Sequence, residues 1–159
     1  MGVAVIDIGS GSVRMLMDGK KQTVMTKLGE GLNAAGRLSE EAMARTIPVI
    51  GGFVGEAERS GHTVYVFATE AVRAAENRAE FLRAVHDLCG ADVEVISGSE
   101  EAEIALLGAS ADGDSTVVDI GGASVEIVSG DGRSLLYVRS LPLGVVRLTE
   151  QAGGDAGLI

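Results

Sequence analysis

Residues 5–14 read VIDIGSGSVR, and residues 117–126 read VVDIGGASVE. Each stretch has an apolar run followed by Asp-Ile-Gly, two small residues, a serine and a second run. Short apolar runs split by glycine and serine are typical of a β-hairpin. The two aspartates, at positions 7 and 119, lie too far apart for a solenoid repeat. The pattern therefore indicates a duplicated lobe.

Both glycine-rich bends are candidate phosphate-binding loops. Several backbone N–H groups of such a bend can approach one phosphate, and nearby serine hydroxyls can add donors. An aspartate at the end of the first strand can hold a metal ion or a water beside that phosphate. A plain β-turn explains one copy equally well, but two copies with the same flanks favour the phosphate loop. The candidate positions are Gly9, Ser10, Gly11 and Ser12 in the first bend and Gly121, Gly122, Ala123 and Ser124 in the second.

Strand and helix signals alternate along the rest of the chain. Ser39 suits a helix N-cap, and Pro48 predicts a kink or local break in the helix that follows. Asn77 is expected to cap the second part of a helical region, and Met25 is expected in the core. Strands are expected at 3–6, 13–17, 22–28, 64–68, 93–96, 116–120, 124–128 and 135–138, and helices at 39–59, 69–89, 99–107 and from 141.

Composition excludes several classes of protein. One cysteine, Cys89, in 159 residues rules out a disulfide scaffold and favours a reducing compartment. The net charge of −10 argues against nucleic-acid binding through a broad basic face. The sequence has no apolar run of membrane-spanning length and no signal-peptide pattern, so a cytoplasmic protein without membrane attachment is expected.

Further motifs surround the two bends, and together they resemble the exopolyphosphatase / guanosine pentaphosphate phosphohydrolase family. That family belongs to the actin-like ATPase superfamily of acetate kinase, actin and Hsp70. The motifs are KLGEGL at 27–32, GRLS at 36–39, ATEAVR at 68–73, ISGSEEA at 96–102 and SLPLGVVRL at 140–148. KLGEGL and GRLS form one loop motif, so four ordered motifs lie beside the bends, and they are far more specific than a single glycine pattern.

The resemblance implies an α/β fold. We expect an RNase H-like lobe with a mixed five-stranded sheet over residues 1–110, and the opening β-meander of a second, similar lobe over 111–159. Family members continue through the rest of that lobe, so the chain is expected to be truncated there. An incomplete sheet leaves an apolar face, which predicts self-association, with a homodimer as one form.

The resemblance also implies roles for individual residues. Glu101 is expected to be the general base that activates a water, with Glu126 as a second catalytic group. Asp119 and Glu126 are implied as ligands of a metal or a water, with Mg²⁺ as the expected ion and Asp7 as the equivalent acid in the first bend. Two arginines remain ambiguous. Arg14 either forks a phosphate or points outward, and Arg73 either binds phosphate or forms a surface ion pair.

The implied function is Mg²⁺-dependent hydrolysis of a phosphoanhydride, with inorganic polyphosphate or guanosine pentaphosphate as substrate. Two alternatives remain open: a catalytically weak module that binds phosphate chains or alarmones, and a small-molecule kinase of the same superfamily. The truncated second lobe and Glu103 favour the first alternative, and the chain also departs from the family pattern elsewhere. Gly11 stands where the family commonly has Asn, Ala123 where it has Gly, Val125 where it has Thr, and Glu103 where it often has Arg.

Overall fold

The computed structural model describes residues 2–109, 114–131 and 135–152. Contacts divide the chain into two compact units, one up to Val95 and one from Ile96. The expected first lobe ran to residue 110, but the helix Gly98–Ala109 belongs to the second unit because its buried side chains pack with Val128. Most of the polar stretch at 109–114, the expected boundary, lies outside the described residues.

The first unit is built on a five-stranded mixed sheet with the strand order β3-β2-β1-β4-β5. β1 pairs antiparallel with β2 and parallel with β4, which confirms the RNase H-like arrangement. In chain order the elements are β1 (Gly2–Ile8), β2 (Ser12–Met17), β3 (Lys20–Met25), α1 (Leu32–Ala35), α2 (Glu40–Arg59), β4 (His62–Ala68), α3 (Glu70–Ala74), α4 (Arg78–Cys89) and β5 (Val93–Val95).

The core of this unit lies between one face of the sheet and helices α2 and α4. Alternate residues of β1, namely Ala4, Ile6 and Ile8, are fully buried, as the two-residue period of a strand requires. Phe81 of α4 is also fully buried. Met25 was expected in this core, but it is 69% exposed because β3 is an edge strand exposed along its whole length.

Helix α2 is continuous through Pro48, so a local break, one of the two expected effects of the proline, is absent. Ser39 caps the helix by accepting a hydrogen bond from the Ala42 N–H at 3.1 Å. Buried residues on both sides of the proline, Thr46 before it and Ile50 after it, belong to one buried face. Packing of that face outweighs the backbone hydrogen bond that the proline removes.

Asn77 separates α3 from α4 as the sequence predicts, but its side chain makes no capping bond. Its amide instead bridges to the main chain of Leu38, accepting from the N–H at 2.9 Å and donating to the carbonyl at 3.0 Å. Asn77 is 4% exposed. It therefore ties the loop before α2 to the start of α4.

The second unit contains an antiparallel three-stranded sheet, β6-β7-β8, with one helix packed on it. Its elements are α5 (Gly98–Ala109), β6 (Ser115–Ile120), β7 (Val125–Gly130), β8 (Leu135–Leu141) and α6 (Val145–Gln151). Ala102 and Leu106 of α5 pack with Val128, whereas Val118 and Ile120 are 54% and 65% exposed. An exposed apolar surface is thus present as expected, and self-association stays a prediction. Among the described residues, no helix is long and apolar enough to cross a membrane.

Candidate functional site

The first bend connects β1 to β2 and is closed by one backbone hydrogen bond. The Gly9 N–H donates to the Ser12 carbonyl at 3.0 Å. A Cβ on Gly9 would lie 3.2 Å from that oxygen, so glycine permits the close approach. Ser10 and Ser12 are both 6% exposed.

The segment after β3 packs against this bend through three backbone bonds. The N–H groups of Thr26 and Lys27 both donate to the Gly11 carbonyl, at 3.0 and 2.9 Å. The Gly29 N–H donates to the Ser10 carbonyl at 2.9 Å. The carbonyls of the two central residues are therefore satisfied within the first unit, whereas no described residue accepts from the N–H of Ser10 or Gly11.

The second bend, between β6 and β7, repeats this arrangement. The Gly121 N–H donates to the Ser124 carbonyl at 2.9 Å. The start of α6 then supplies the donors that the segment after β3 supplies in the first unit. The Gly144 N–H donates to the Ala123 carbonyl at 3.1 Å and the Val146 N–H to the Gly122 carbonyl at 2.8 Å.

Both bends thus present the same hydrogen-bonding surface to a ligand. Their central carbonyls are occupied, and in the part of the chain that the structure describes the N–H groups of Gly122 and Ala123 have no acceptor either. A backbone N–H group that is shielded from water needs a hydrogen-bond partner, and an anion can provide one. Each bend is therefore suited to hold a phosphate by neutral backbone donors.

Two residues of opposite charge lie on the strands that flank the first bend. Asp7 and Arg14 are cross-strand partners, with Arg14 Nη1 3.7 Å from Asp7 Oδ2. The Arg14 side chain is 51% exposed and that of Asp7 is 26% exposed. Arg14 partly neutralises the Asp7 carboxylate through Oδ2, and the metal role of Asp7 stays a prediction.

Arg73 forms the ion pair that was one of its two expected roles. Its Nη2 lies 2.6 Å from Glu70 Oε2, and its Nε donates to the same oxygen at 3.1 Å. Both side chains are about three-quarters buried, which makes the pair better ordered than a surface salt bridge. A phosphate role for Arg73 is compatible with this pair, because the guanidinium has five donors.

Two carboxylates meet in the second hairpin. Asp119 and Glu126 are cross-strand partners of β6 and β7, so they lie on the same face of the sheet. Glu126 is 1% exposed, and its Oε1 accepts a hydrogen bond from the Ser140 hydroxyl at 2.7 Å. Asp119 is exposed. The sequence assigned both residues and placed Ser140 in a family motif, but it did not indicate the contact of Ser140 with Glu126, which the register of β7 and β8 brings about.

The two glutamates that open α5 have different surroundings. Ser97 and Glu100 form a capping box, in which Glu100 Oε2 accepts from the Ser97 N–H and hydroxyl, both at 2.8 Å. The backbone hydrogen bond, followed by the hydroxyl one, lowers the pKa of Glu100. Glu101 is half-buried in the first turn, with its N–H bound to the Ser97 carbonyl at 3.0 Å. Capping therefore accounts for Glu100 and leaves Glu101 as the candidate base.

The donor set of the second hairpin fits Mg²⁺. The ion prefers oxygen ligands and is commonly bound through one or two carboxylates, with phosphate and water completing the shell. Asp119 and Glu126 supply two neighbouring carboxylates. Within the described ranges no cluster of three or more metal-ligating side chains occurs, so phosphate and water oxygens would supply the other ligands.

Comparison with known proteins places these features in a family. Residues 4–159 match the model of the Ppx/GppA phosphatase family. Exopolyphosphatase 2 of Mycobacterium tuberculosis is 36% identical over 177 residues, covering 94% of this chain and 54% of the relative. A guanosine-5'-triphosphate,3'-diphosphate pyrophosphatase of Photobacterium profundum is 37% identical over 162 residues, covering 93% of this chain and 33% of the relative.

Solved structures support the same assignment. The crystal structure of the Aquifex aeolicus Ppx/GppA family member is 39% identical, with a TM-score of 0.78, covering 94% of this chain and 54% of that one. MreB5 of Spiroplasma citri is 14% identical with a TM-score of 0.56 over 94% of this chain and 54% of that one, which shows an actin-like fold. The chain spans about half the length, or less, of the curated relatives. It belongs to the Ppx/GppA phosphatase family.

Proposed function

We propose that this chain is part of a phosphoanhydride hydrolase that releases the terminal phosphate of inorganic polyphosphate or guanosine pentaphosphate. The observation that carries the proposal is the pair of bends whose central carbonyls are occupied and whose central N–H groups lack acceptors among the described residues. Membership of the Ppx/GppA family supports a phosphate ligand over any other anion.

Each bend binds one phosphate group in this proposal. The N–H groups of Ser10 and Gly11 serve the first bend, and those of Gly122 and Ala123 serve the second. Backbone donors are fixed by the hydrogen bonds of their own carbonyls, so they need little reorganisation when the ligand arrives. The serine hydroxyls, Arg14 and Arg73 supply further donors.

Glu101 acts as the general base. Its carboxylate takes a proton from a water while the water oxygen forms a bond to the terminal phosphorus, and the bond from that phosphorus to the bridging oxygen breaks. Loss of such a base slows hydrolysis by about 10²–10⁴-fold. Glu100 is a poor substitute because its carboxylate holds the capping box together.

Asp119 and Glu126 are the residues proposed to hold Mg²⁺. When bound, the ion would neutralise phosphate charge and orient the terminal group. The Ser140 hydroxyl fixes Glu126 through the bond to Oε1, which keeps the buried carboxylate in one orientation. A cytoplasmic setting belongs to the same proposal and is supported by the single cysteine.

The experiment compares Glu101→Gln with Glu103→Gln in the same chain. Glu103 lies on the same helix, is exposed and carries no role in the site. Phosphate release is measured with Mg²⁺ from long-chain polyphosphate and from guanosine pentaphosphate. We expect Glu101→Gln to lose at least about a hundredfold in kcat with binding retained, and Glu103→Gln to match the parent.

Three results would contradict the proposal. Equal turnover in the two variants would remove Glu101 as the base. Binding of polyphosphate without turnover in the parent chain would support the regulatory-module alternative. Transfer of phosphate from ATP to a small acceptor, without hydrolysis of polyphosphate, would support the kinase.

A further inference from the structure

Lys27 has a backbone conformation that lysine rarely adopts. Its φ is 50°, in the left-handed region, where a residue with a Cβ is strained by about 1–2 kcal/mol. Among the described non-glycine residues, only Asp18 shares this feature, with a φ of 51°. Asp18 precedes Gly19 in the tight turn between β2 and β3, where Asp-Gly is a preferred pair. Turn chemistry therefore explains Asp18 but not Lys27, where glycine or asparagine would suit the backbone better.

The backbone of Lys27 lies beside the first bend, which brings its side chain close to a phosphate bound there. The Lys27 N–H donates to the Gly11 carbonyl at 2.9 Å, so the Lys27 backbone is in direct contact with the first bend. Gly11 is also one of the two residues whose N–H groups are available to a phosphate. The flexible four-carbon stem of lysine can carry an ammonium group beyond the phosphate held at the bend.

Lys27 also differs from the arginines around the first bend in the pairing of its charge. Arg14 faces Asp7, Arg45 faces Glu30 at 2.7 Å, and Arg73 faces Glu70. Lys27 is exposed, and no carboxylate among the described residues lies within ion-pair distance of it. Lys27 therefore carries a positive charge that no described carboxylate neutralises, in the segment that packs on the bend.

We propose that Lys27 binds the second phosphate of the chain, next to the phosphate held by the bend, and so favours chains of phosphates over a single phosphate. This inference rests on the proposed function, because it assumes that the first bend holds a phosphate. It makes Lys27 a specificity-determining residue, whereas the backbone donors of the bend recognise any phosphate group.

The test measures binding of tripolyphosphate and of orthophosphate by calorimetry to the full chain. The variants are Lys27→Asn, which suits a positive φ and removes the charge, and Lys27→Arg, which keeps the charge. Lys21→Asn is the matched control, because Lys21 is an exposed lysine of β3 in the same unit. We expect Lys27→Asn to weaken tripolyphosphate binding about tenfold, as loss of one charged contact does.

The other measurements show whether the effect belongs to the charge. Orthophosphate affinity should stay unchanged in Lys27→Asn, Lys27→Arg should bind tripolyphosphate like the parent, and Lys21→Asn should have no effect. The thermal midpoint of Lys27→Asn should equal or exceed that of the parent, because asparagine tolerates this φ. A structural role would instead lower it.

Failure can be assigned to one of the two proposals. If the parent binds tripolyphosphate and Lys27→Asn binds it equally well, the role of Lys27 is wrong and the proposed function stands. An equal loss of tripolyphosphate and orthophosphate affinity would overturn the preference for chains. A parent chain that binds neither ligand would overturn both proposals.

Discussion

Gly144→Ala tests whether the close approach of α6 to the second bend holds that bend in shape. A Cβ on Gly144 would overlap the backbone of Gly122 and Ala123. The φ of Gly144 is −67°, which alanine adopts readily, so space and not backbone freedom requires the glycine. The bend and the start of the helix must therefore separate.

The cost follows from the backbone bonds that this separation stretches. The Gly144, Val145 and Val146 N–H groups donate to the carbonyls of Ala123, Gly121 and Gly122 at 3.1, 3.0 and 2.8 Å. At about 1 kcal/mol each, their loss destabilises the second unit by about 3 kcal/mol. Alanine also restricts the unfolded chain, which stabilises the folded state by about 0.4–1 kcal/mol. The free energy of unfolding should therefore fall by about 2–3 kcal/mol in total.

Gly108→Ala is the matched control for this change. Gly108 lies in α5 of the same unit, and an added Cβ there meets nothing within 4 Å. Alanine should be neutral there or up to about 1 kcal/mol more stable than glycine, because glycine is a poor helix former. The same chemical substitution is thus expected to have opposite effects at two positions of one unit.

Urea denaturation followed by tyrosine fluorescence measures the difference. The chain has no tryptophan and two tyrosines, Tyr65 in the first unit and Tyr137 in the second. A Tyr65→Phe background leaves Tyr137 to report the second unit. Equal unfolding free energies for Gly144→Ala and Gly108→Ala would refute the argument that α6 buttresses the bend.

Two further predictions concern stability. Asn77→Ala should destabilise the first unit by about 2–4 kcal/mol in urea denaturation, because it leaves the N–H and carbonyl of buried Leu38 unpaired, and full stability would contradict the bridging role. Glu100→Gln should be less stable than the parent at pH 7. Because the folded state lowers the pKa of Glu100 below 4.5, the parent loses this advantage as the pH falls through that lowered value, so the two melting temperatures should converge in acid. A constant difference from pH 7 to pH 3 would contradict it.

The sheet of the first unit and the meander of the second could be predicted from the sequence, whereas several element bounds could not. The repeated Asp-Ile-Gly bends, the strand meander and the following strand-helix alternation predict the sheet order of the first unit, and the structure confirms it. The membership of residues 96–109 in the second unit could not be predicted from the sequence. Composition marks a boundary at the small polar stretch 109–114, but membership of a unit depends on where Ala102 and Leu106 pack, which is a tertiary contact.

The partners of the polar side chains were likewise beyond the sequence. Asparagine is a common helix cap, but the amide of Asn77 instead forms hydrogen bonds with the backbone N–H and carbonyl of Leu38, which is distant in sequence. Arg14 meets Asp7, and Ser140 meets Glu126, only because strand register aligns them. The segment at 26–29 overlaps the KLGEGL motif at 27–32, but the hydrogen bonds of its backbone N–H groups to the first bend depend on the three-dimensional fold.

The hydrogen bonding of the bends explains how a chain of net charge −10 can offer a site to a polyanion. Arg14, Arg45 and Arg73 are each ion-paired with a carboxylate. Their charges are therefore largely neutralised and add little to the attraction of the first unit for a polyanion. Backbone N–H groups carry no net charge, and salt screens charges more than it weakens short hydrogen bonds in a fixed geometry. Affinity for one phosphate should then depend on the shape of the bends more than on ionic strength. The dependence on salt should grow with the length of the phosphate chain, because further phosphates meet cations such as Lys27 instead of backbone donors.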